Sequence, residues 1–483
     1  MRLGLLWSLA CLSGILGAMV LFDALPGINW ILWTSVTIAG LIAYRRPDRA
    51  TMRVLALPLG FALILATGAS VTTTPILLVA TLLIVASLMA LALLVAPEHG
   101  AVRDYGAVGI ITAPILGFGH AVVGTFSAIT AAVDAAGSTR ERPVFRGALL
   151  ATPVVLVLAL LFATADPVLG RGRDAIFDAL STFDALPRII FGTLIALFVA
   201  GSYFASLRAT IRTRARSDST TPQDRIGLTE RRIVLGAAAV ISWLFVLLQI
   251  GYLFATVPSA VGSGTTFAEY AHRGFGELTV AATGVALLIV AAHQRLAAED
   301  EALARSALMW PSLALLAAVG CILISAFHRI SLYEDAYGFT TTRVYAQAYT
   351  ILTLGVLVVL GWYVLHKFDV RAIARGVMTL ALTTLAVLVF WNGDAWVARA
   401  NVDRYAETGK IDIEYLARGL SPDAYPTLVA SIPQLGVSEQ QQLTLALAKA
   451  YARTSSLKRV PSWYEWNLRR SRAKAVQMAV ASR

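Results

Sequence analysis

Two short stretches, both read as loops on the same face of the membrane, hold most of the residue types in this chain that could do chemistry. One runs Phe267-Ala268-Glu269-Tyr270-Ala271-His272-Arg273-Gly274-Phe275-Gly276-Glu277. The other runs His328-Arg329-Ile330-Ser331-Leu332-Tyr333-Glu334-Asp335-Ala336-Tyr337-Gly338, with Arg343 soon after. The candidate cluster is therefore Glu269, Tyr270, His272, Arg273, Glu277, His328, Arg329, Tyr333, Glu334, Asp335, Tyr337 and Arg343. Carboxylates beside an imidazole are the material of general acid–base catalysis, and an arginine such as Arg273, Arg329 or Arg343 can hold a phosphate through paired hydrogen bonds. An architectural use competes with this. Glu269 and Arg273 stand one helical turn apart and can pair, and Glu277 opens an apolar run, where the helix dipole favours an anion. His272 and His328 have no third ligand at motif spacing, so no metal is expected.

Other candidates fail on specificity. The glycine-rich stretch 117–124 lacks both a preceding strand and the lysine of a phosphate loop. No Gly-x-Ser-x-Gly elbow, His-Glu-x-x-His or kinase signature occurs, and no cofactor is implied. Asp166, Asp174, Asp178 and Asp184 do not have the spacing of a calcium loop and read as solvated caps.

The elements that must position these groups are membrane helices. Of 483 residues, 57% are hydrophobic and 14% charged, against roughly a quarter charged in soluble proteins. A hydrocarbon core about 30 Å thick takes roughly 20 apolar residues per helix. Such runs fall near 4–22, 28–44, 54–67, 75–95, 147–164, 188–207, 233–256, 277–294, 308–327, 344–365 and 373–391. The expected fold is all-α, a polytopic transmembrane bundle of about 11 spans over 1–391, with a small C-terminal helical domain at 392–483. The first run follows Met1 and Arg2 without a convincing cleavage site and reads as a retained span. Cys11 and Cys321 both lie in apolar runs, which speaks against a disulfide framework. Ionisable residues at bilayer depth would mark an ion path, and the spans hold almost none; Gln249 is the main polar exception and reads as a helix–helix hydrogen bond.

Arg and Lys set the orientation. With the N-terminus cytoplasmic, 21 of the 40 basic residues fall in cytoplasmic segments, 6 in the opposite loops and 13 in the tail, which puts the tail outside the cytoplasm. The net charge of +11 comes with no nucleic-acid signature, so no nucleic-acid partner is expected. The basic linker Arg208–Arg232, centred on Ser217-Asp218-Ser219-Thr220-Thr221-Pro222, is a candidate contact for anionic lipid. Residues 105–136 are apolar but broken by Gly106, Gly109, Pro114, Gly117, Gly119, His120 and Gly124, and they read as an interfacial or re-entrant pair of short helices on the cytoplasmic face.

The tail carries helix punctuation. Gly409 and Gly419 sit where C-caps belong, Ser421-Pro422 reads as an N-cap followed by proline, and Ser438 to Gln441 fits a capping box. Its last piece, Trp463-Tyr464-Glu465-Trp466-Asn467-Leu468-Arg469-Arg470, mixes aromatics and cations as segments lying on a membrane do, with an envelope protein partner as the alternative.

On further stretches the chain resembles a family of bacterial multispanning membrane proteins catalogued as domain of unknown function 4153/4173. The resembling pieces are Ala165-Asp166-Pro167-Val168, Tyr270-Ala271-His272-Arg273-Gly274-Phe275, Arg329 to Gly338, Ala398-Arg399-Ala400-Asn401-Val402-Asp403-Arg404 and Asp412-Ile413-Glu414-Tyr415-Leu416. The family usually has arginine where this chain has His272, which weakens a mechanism built on that imidazole. The resemblance implies a bacterial membrane location and helical architecture, and no chemistry. Three readings follow: a non-catalytic envelope scaffold or sensor-like component with an extracytoplasmic polar recognition site, a membrane enzyme acting on a lipid-linked or phosphate-bearing substrate, and a transporter. The first is preferred because many spans come without a relay or a catalytic motif.

Overall fold

The computed structural model describes residues 3–94, 119, 121–132, 185–212, 228–253, 275–293, 301–454 and 461–481. Every regular element among them is helical: α1 Leu3–Val20, α2 Ile28–Arg45, α3 Arg49–Gly68, α4 Pro75–Leu94, α5 Ala121–Ala132, α6 Ala185–Arg212, α7 Leu228–Leu253, α8 Phe275–His293, α9 Glu301–Tyr337, α10 Thr341–Leu365, α11 Val370–Phe390, α12 Gly393–Thr408, α13 Ile413–Arg418, α14 Tyr425–Ser431, α15 Val437–Thr454 and α16 Leu468–Ala481. Short 3-10 turns occupy Pro422–Ala424, Ile432–Gln434 and Trp463–Glu465. Helices cover each expected span except 147–164, which lies outside the described residues. Among those described, six helices are long and apolar enough to cross a membrane. Lipid is the natural neighbour of the apolar side chains they leave bare, such as Ile15 at 61% and Val358 at 71% exposure. Of the 105–136 segment, only position 119 and the single helix α5 are described.

The chain divides into two compact units, residues 1–219 with 459–471, and residues 220–458 with 472–483. In the first, α1 crosses α6 where a Cβ on Gly14 would strike the Gly192 carbonyl oxygen and Ala196. Small residues let backbones approach this closely, which is how helices associate where lipid tails remove the hydrophobic drive. Glycine 124 of α5 meets the Gly201 carbonyl of α6 in the same way, and Thr125 Oγ1 donates to Leu197 O at 3.0 Å. Two buried polar side chains bond to backbone carbonyls of neighbouring helices: Tyr203 Oη donates to Thr37 O at 2.6 Å, and Arg45 Nη1 to Ala92 O at 3.1 Å.

In the second unit, α9 packs on α7, α8 and α10. Trp243 Nε1 donates to Ala314 O at 3.0 Å, and His293 Nε2 meets Ser312 Oγ at 3.0 Å. Pro311, which reads from the sequence as a helix-start proline or a kink, lies inside the 37 residues of α9. At 1.5 Å per residue that helix reaches roughly 55 Å, well beyond a hydrocarbon core of about 30 Å. Its polar last turns therefore extend past the apolar run 308–327.

The tail helices share a core with the start of α10. Val397, Ala398, Leu416, Leu420, Ala424, Tyr425 and Leu428 are buried together, with Val344 from the first turns of α10 among them. Gly409 ends α12 at φ +67, the expected left-handed cap. Gly419 also follows a helix, but its backbone is right-handed (φ −82); a Cβ there would run into the Tyr415 ring, so close approach is what requires glycine. Ser421 caps the turn at Pro422–Ala424 as expected. The capping box assigned to Ser438–Gln441 is not formed, because α15 already begins at Val437 and Ser438 Oγ instead accepts from Gln442 Nε2 at 3.2 Å. The capping box lies at Ser462 and Glu465.

Candidate functional site

The stretch 328–338, expected as a loop, is helix through Tyr337, leaving only 338–340 to turn the chain into α10. The reason lies far along the sequence. The last carbonyls of a helix lack intrahelical donors, and Arg404 of α12 supplies them: Nε donates to Asp335 O at 2.9 Å and Nη2 to Ala336 O at 2.7 Å. Asn401 holds the turn itself, accepting the Phe339 N–H at 3.0 Å and donating to Phe339 O at 2.8 Å. Gly338 adopts φ +86 there, and a Cβ on it would stand 2.6 Å from Asn401 Oδ1. Glycine is thus required both by conformation and by space. At the start of α10, the Thr340 side chain caps the Arg343 N–H, the Thr341 N–H donates to Tyr415 Oη at 2.8 Å, and Thr341 Oγ1 donates to Asp394 at 3.2 Å.

Inside this frame sits Glu334, only 2% exposed. Its Oε2 accepts Gln347 Nε2 at 2.6 Å, and the same amide nitrogen lies 3.3 Å from Ser331 Oγ. Its Oε1 is buried without a hydrogen-bond partner. A buried acceptor left unsatisfied costs about 1–3 kcal/mol, more when charged. Arg343 lies nearby and does not close the gap. Its guanidinium stacks 4.2 Å above the Tyr333 ring and donates to Gly338 O. Tyr333 in turn packs against Tyr337 with ring centroids 4.6 Å apart.

Of the sequence candidates, Tyr333, Glu334, Tyr337 and Arg343 therefore come together at one helix-pair end. Asp335 is on the exposed face, with its carbonyl spent on Arg404. His328 is exposed and Arg329 half-buried two turns earlier on α9. Glu277 falls in the first turn of α8 as expected, its side chain lying outside what is described. Glu269, Tyr270, His272 and Arg273 also lie outside the described residues. Among the described residues, no three His, Cys, Asp or Glu side chains are grouped to hold a metal. Sequence reasoning missed Gln347 as the partner of Glu334 and the link from Gln347 to Ser331, and it missed Asn401 and Arg404 as clamps. Gln347 carried a signal, being one helical turn beyond Arg343 on the same face and polar in an apolar run.

These features define a helical integral membrane protein in which α12 and α13 brace the end of the α9–α10 pair. The chain belongs to the family described as Domain of unknown function (DUF4153), which it matches over residues 59–431. Neither the curated proteins nor the solved structures gave a match.

Proposed function

We propose that this protein is a non-catalytic component of the bacterial envelope, scaffold- or sensor-like, that recognises a ligand or partner at the polar end of α9 and α10. The observation that carries this reading is the buried Glu334 carboxylate with one oxygen satisfied and one unspent. A bound group that donates a hydrogen bond, reached by a small local opening, would complete it. The surrounding polar groups support recognition over turnover, since Arg343, Asn401 and Arg404 bond to backbone carbonyls and serve the frame. A photo-crosslinking residue in place of Tyr337, which is 55% exposed at the rim, tests this in living cells. A discrete adduct that is lost on Glu334→Ala is expected. No adduct, or one indifferent to Glu334, overturns the reading.

The orientation that goes with it puts the N-terminus in the cytoplasm and the tail outside, in the bacterial inner membrane, supported by the 21-to-6 distribution of basic residues across the short segments. A reporter fused after Arg483 is then active only if it functions outside the cytoplasm; cytoplasmic activity overturns the assignment. The same distribution leaves the linker Arg208–Arg232 facing the anionic cytoplasmic leaflet as a lipid contact.

A further inference from the structure

Residues 461–470 are built inside out. Glu465 and Asn467 are each 1% exposed and Arg469 7%, while Trp463 is 71% and Trp466 45% exposed. In water such a segment loses twice: buried polar groups are costly unless paired, and bare indoles forgo their burial.

The first cost is met by pairing. Glu465 Oε1 accepts the Leu25 N–H at 2.9 Å and Oε2 the Ser462 N–H at 2.7 Å. Asn467 Nδ2 donates to Ala69 O and Thr72 O, both at 3.0 Å. The Ile28 N–H donates to Trp466 O at 3.2 Å, and the Leu468 N–H to Ser70 O at 2.8 Å. Arg470 Nη2 reaches Pro26 O at 3.1 Å. A Cβ on Gly27 would sit 2.6 Å from the Glu465 backbone, so the strap lies directly on the chain. Its polar side chains are thus a plug seated in two turns, 21–27 between α1 and α2 and 69–74 between α3 and α4.

The second cost needs a partner for the indoles. Those turns follow α1 and α3, both long and apolar enough to cross a membrane, and apolar side chains are bare beside them: Met19 in the last turn of α1 at 60% and Ile76 in the first turn of α4 at 62%. The segment that carries the exposed indoles is bonded to these same turns, through Trp466 O to the Ile28 N–H and through the Leu468 N–H to Ser70 O. An indole is a large apolar ring with one N–H donor, and the headgroup layer satisfies both. We propose that residues 461–470 form a lipid-binding strap: Trp463 and Trp466 insert into the headgroup layer of the leaflet at the α1–α2 and α3–α4 turns, and the bilayer is the partner that covers them.

The test uses the full chain in nanodiscs of phosphatidylethanolamine and phosphatidylglycerol. In a Cys11→Ala/Cys321→Ala background, a nitroxide is attached at Trp463→Cys or Trp466→Cys. Its collision with oxygen and with a water-soluble nickel complex is compared with labels at Ile15→Cys, on the bare apolar face of α1, and at Glu414→Cys, a carboxylate 74% exposed. Both strap positions should favour oxygen over nickel severalfold more than Glu414 does, and less than Ile15 does. A ratio equal to that at Glu414 overturns the proposal. So does protection from both agents in native membranes that disappears on purification, which would mark a protein partner. A second measurement leaves the strap unlabelled. Trp463→Phe/Trp466→Phe should remove part of the indole quenching by lipids brominated near the headgroup, and unchanged quenching per remaining indole relative to the native chain overturns the proposal as well.

Discussion

Glu334 and Glu465 are both buried glutamates, at 2% and 1% exposure, and they differ in how their oxygens are used. Each oxygen of Glu465 accepts a backbone N–H, one from its own turn and one from Leu25, 440 residues away in sequence. Glu334 has one oxygen on Gln347 and one with nothing. A buried carboxylate whose bonds are complete is part of the architecture. One left half-satisfied is retained at a cost in stability, and function is the natural place to look for the return. The comparison teaches where to look in each unit: at the strap for stability, and at the end of α9 and α10 for recognition.

The sharpest way to break this comparison is to remove the fully bonded carboxylate. Glu465→Ala orphans two N–H groups, and denaturant unfolding in mixed micelles should show a loss of about 3 kcal/mol; a loss indistinguishable from zero would mean the strap is not held as drawn. Asn401→Ala removes both bonds to Phe339 and should cost about 2 kcal/mol, with protease cleavage appearing at the 338–340 turn as the local readout. Gly27→Ala keeps an extended backbone that any residue tolerates (φ −172) but crowds the strap, and should cost about 1–2 kcal/mol as overpacking does. The smallest effect belongs to Glu334→Gln. The amide oxygen can still accept from Gln347 while the buried charge disappears, so stability should change by less than about 1 kcal/mol or improve, even as the Tyr337 adduct is lost. If Glu334→Gln instead destabilises as much as Glu465→Ala, the contrast between the two glutamates fails and Glu334 joins the architecture.

Much of this was legible one residue at a time. The apolar runs among the described residues, the left-handed Gly409 and the Ser421-Pro422 cap depend on local hydropathy and local backbone preference, and they stand where expected. The end of α9 was misread because a helix terminus is decided by what satisfies its last carbonyls, and Arg404 lies 68 residues beyond Ala336. The capping box was misplaced for a related reason: Ser438 and Gln441 fit the pattern, but the chain had already turned helical at Val437. At the candidate site, the sequence pointed to Tyr333, Glu334, Tyr337 and Arg343 by residue type, yet not to Gln347 as the partner that leaves one oxygen over.

By itself, then, the sequence determined an all-helical chain made for the bilayer, because hydrophobic length and helix capping are properties of short windows. Only the tertiary structure decided which polar groups are spent. Residues 463–470 look alike in sequence, aromatics mixed with charges, and nothing local says that Glu465 and Asn467 turn inward while Trp463 and Trp466 turn out. That choice is made by carbonyls and N–H groups at Leu25, Ala69 and Thr72, roughly four hundred residues earlier, where a buried polar atom must find a partner or pay for its absence.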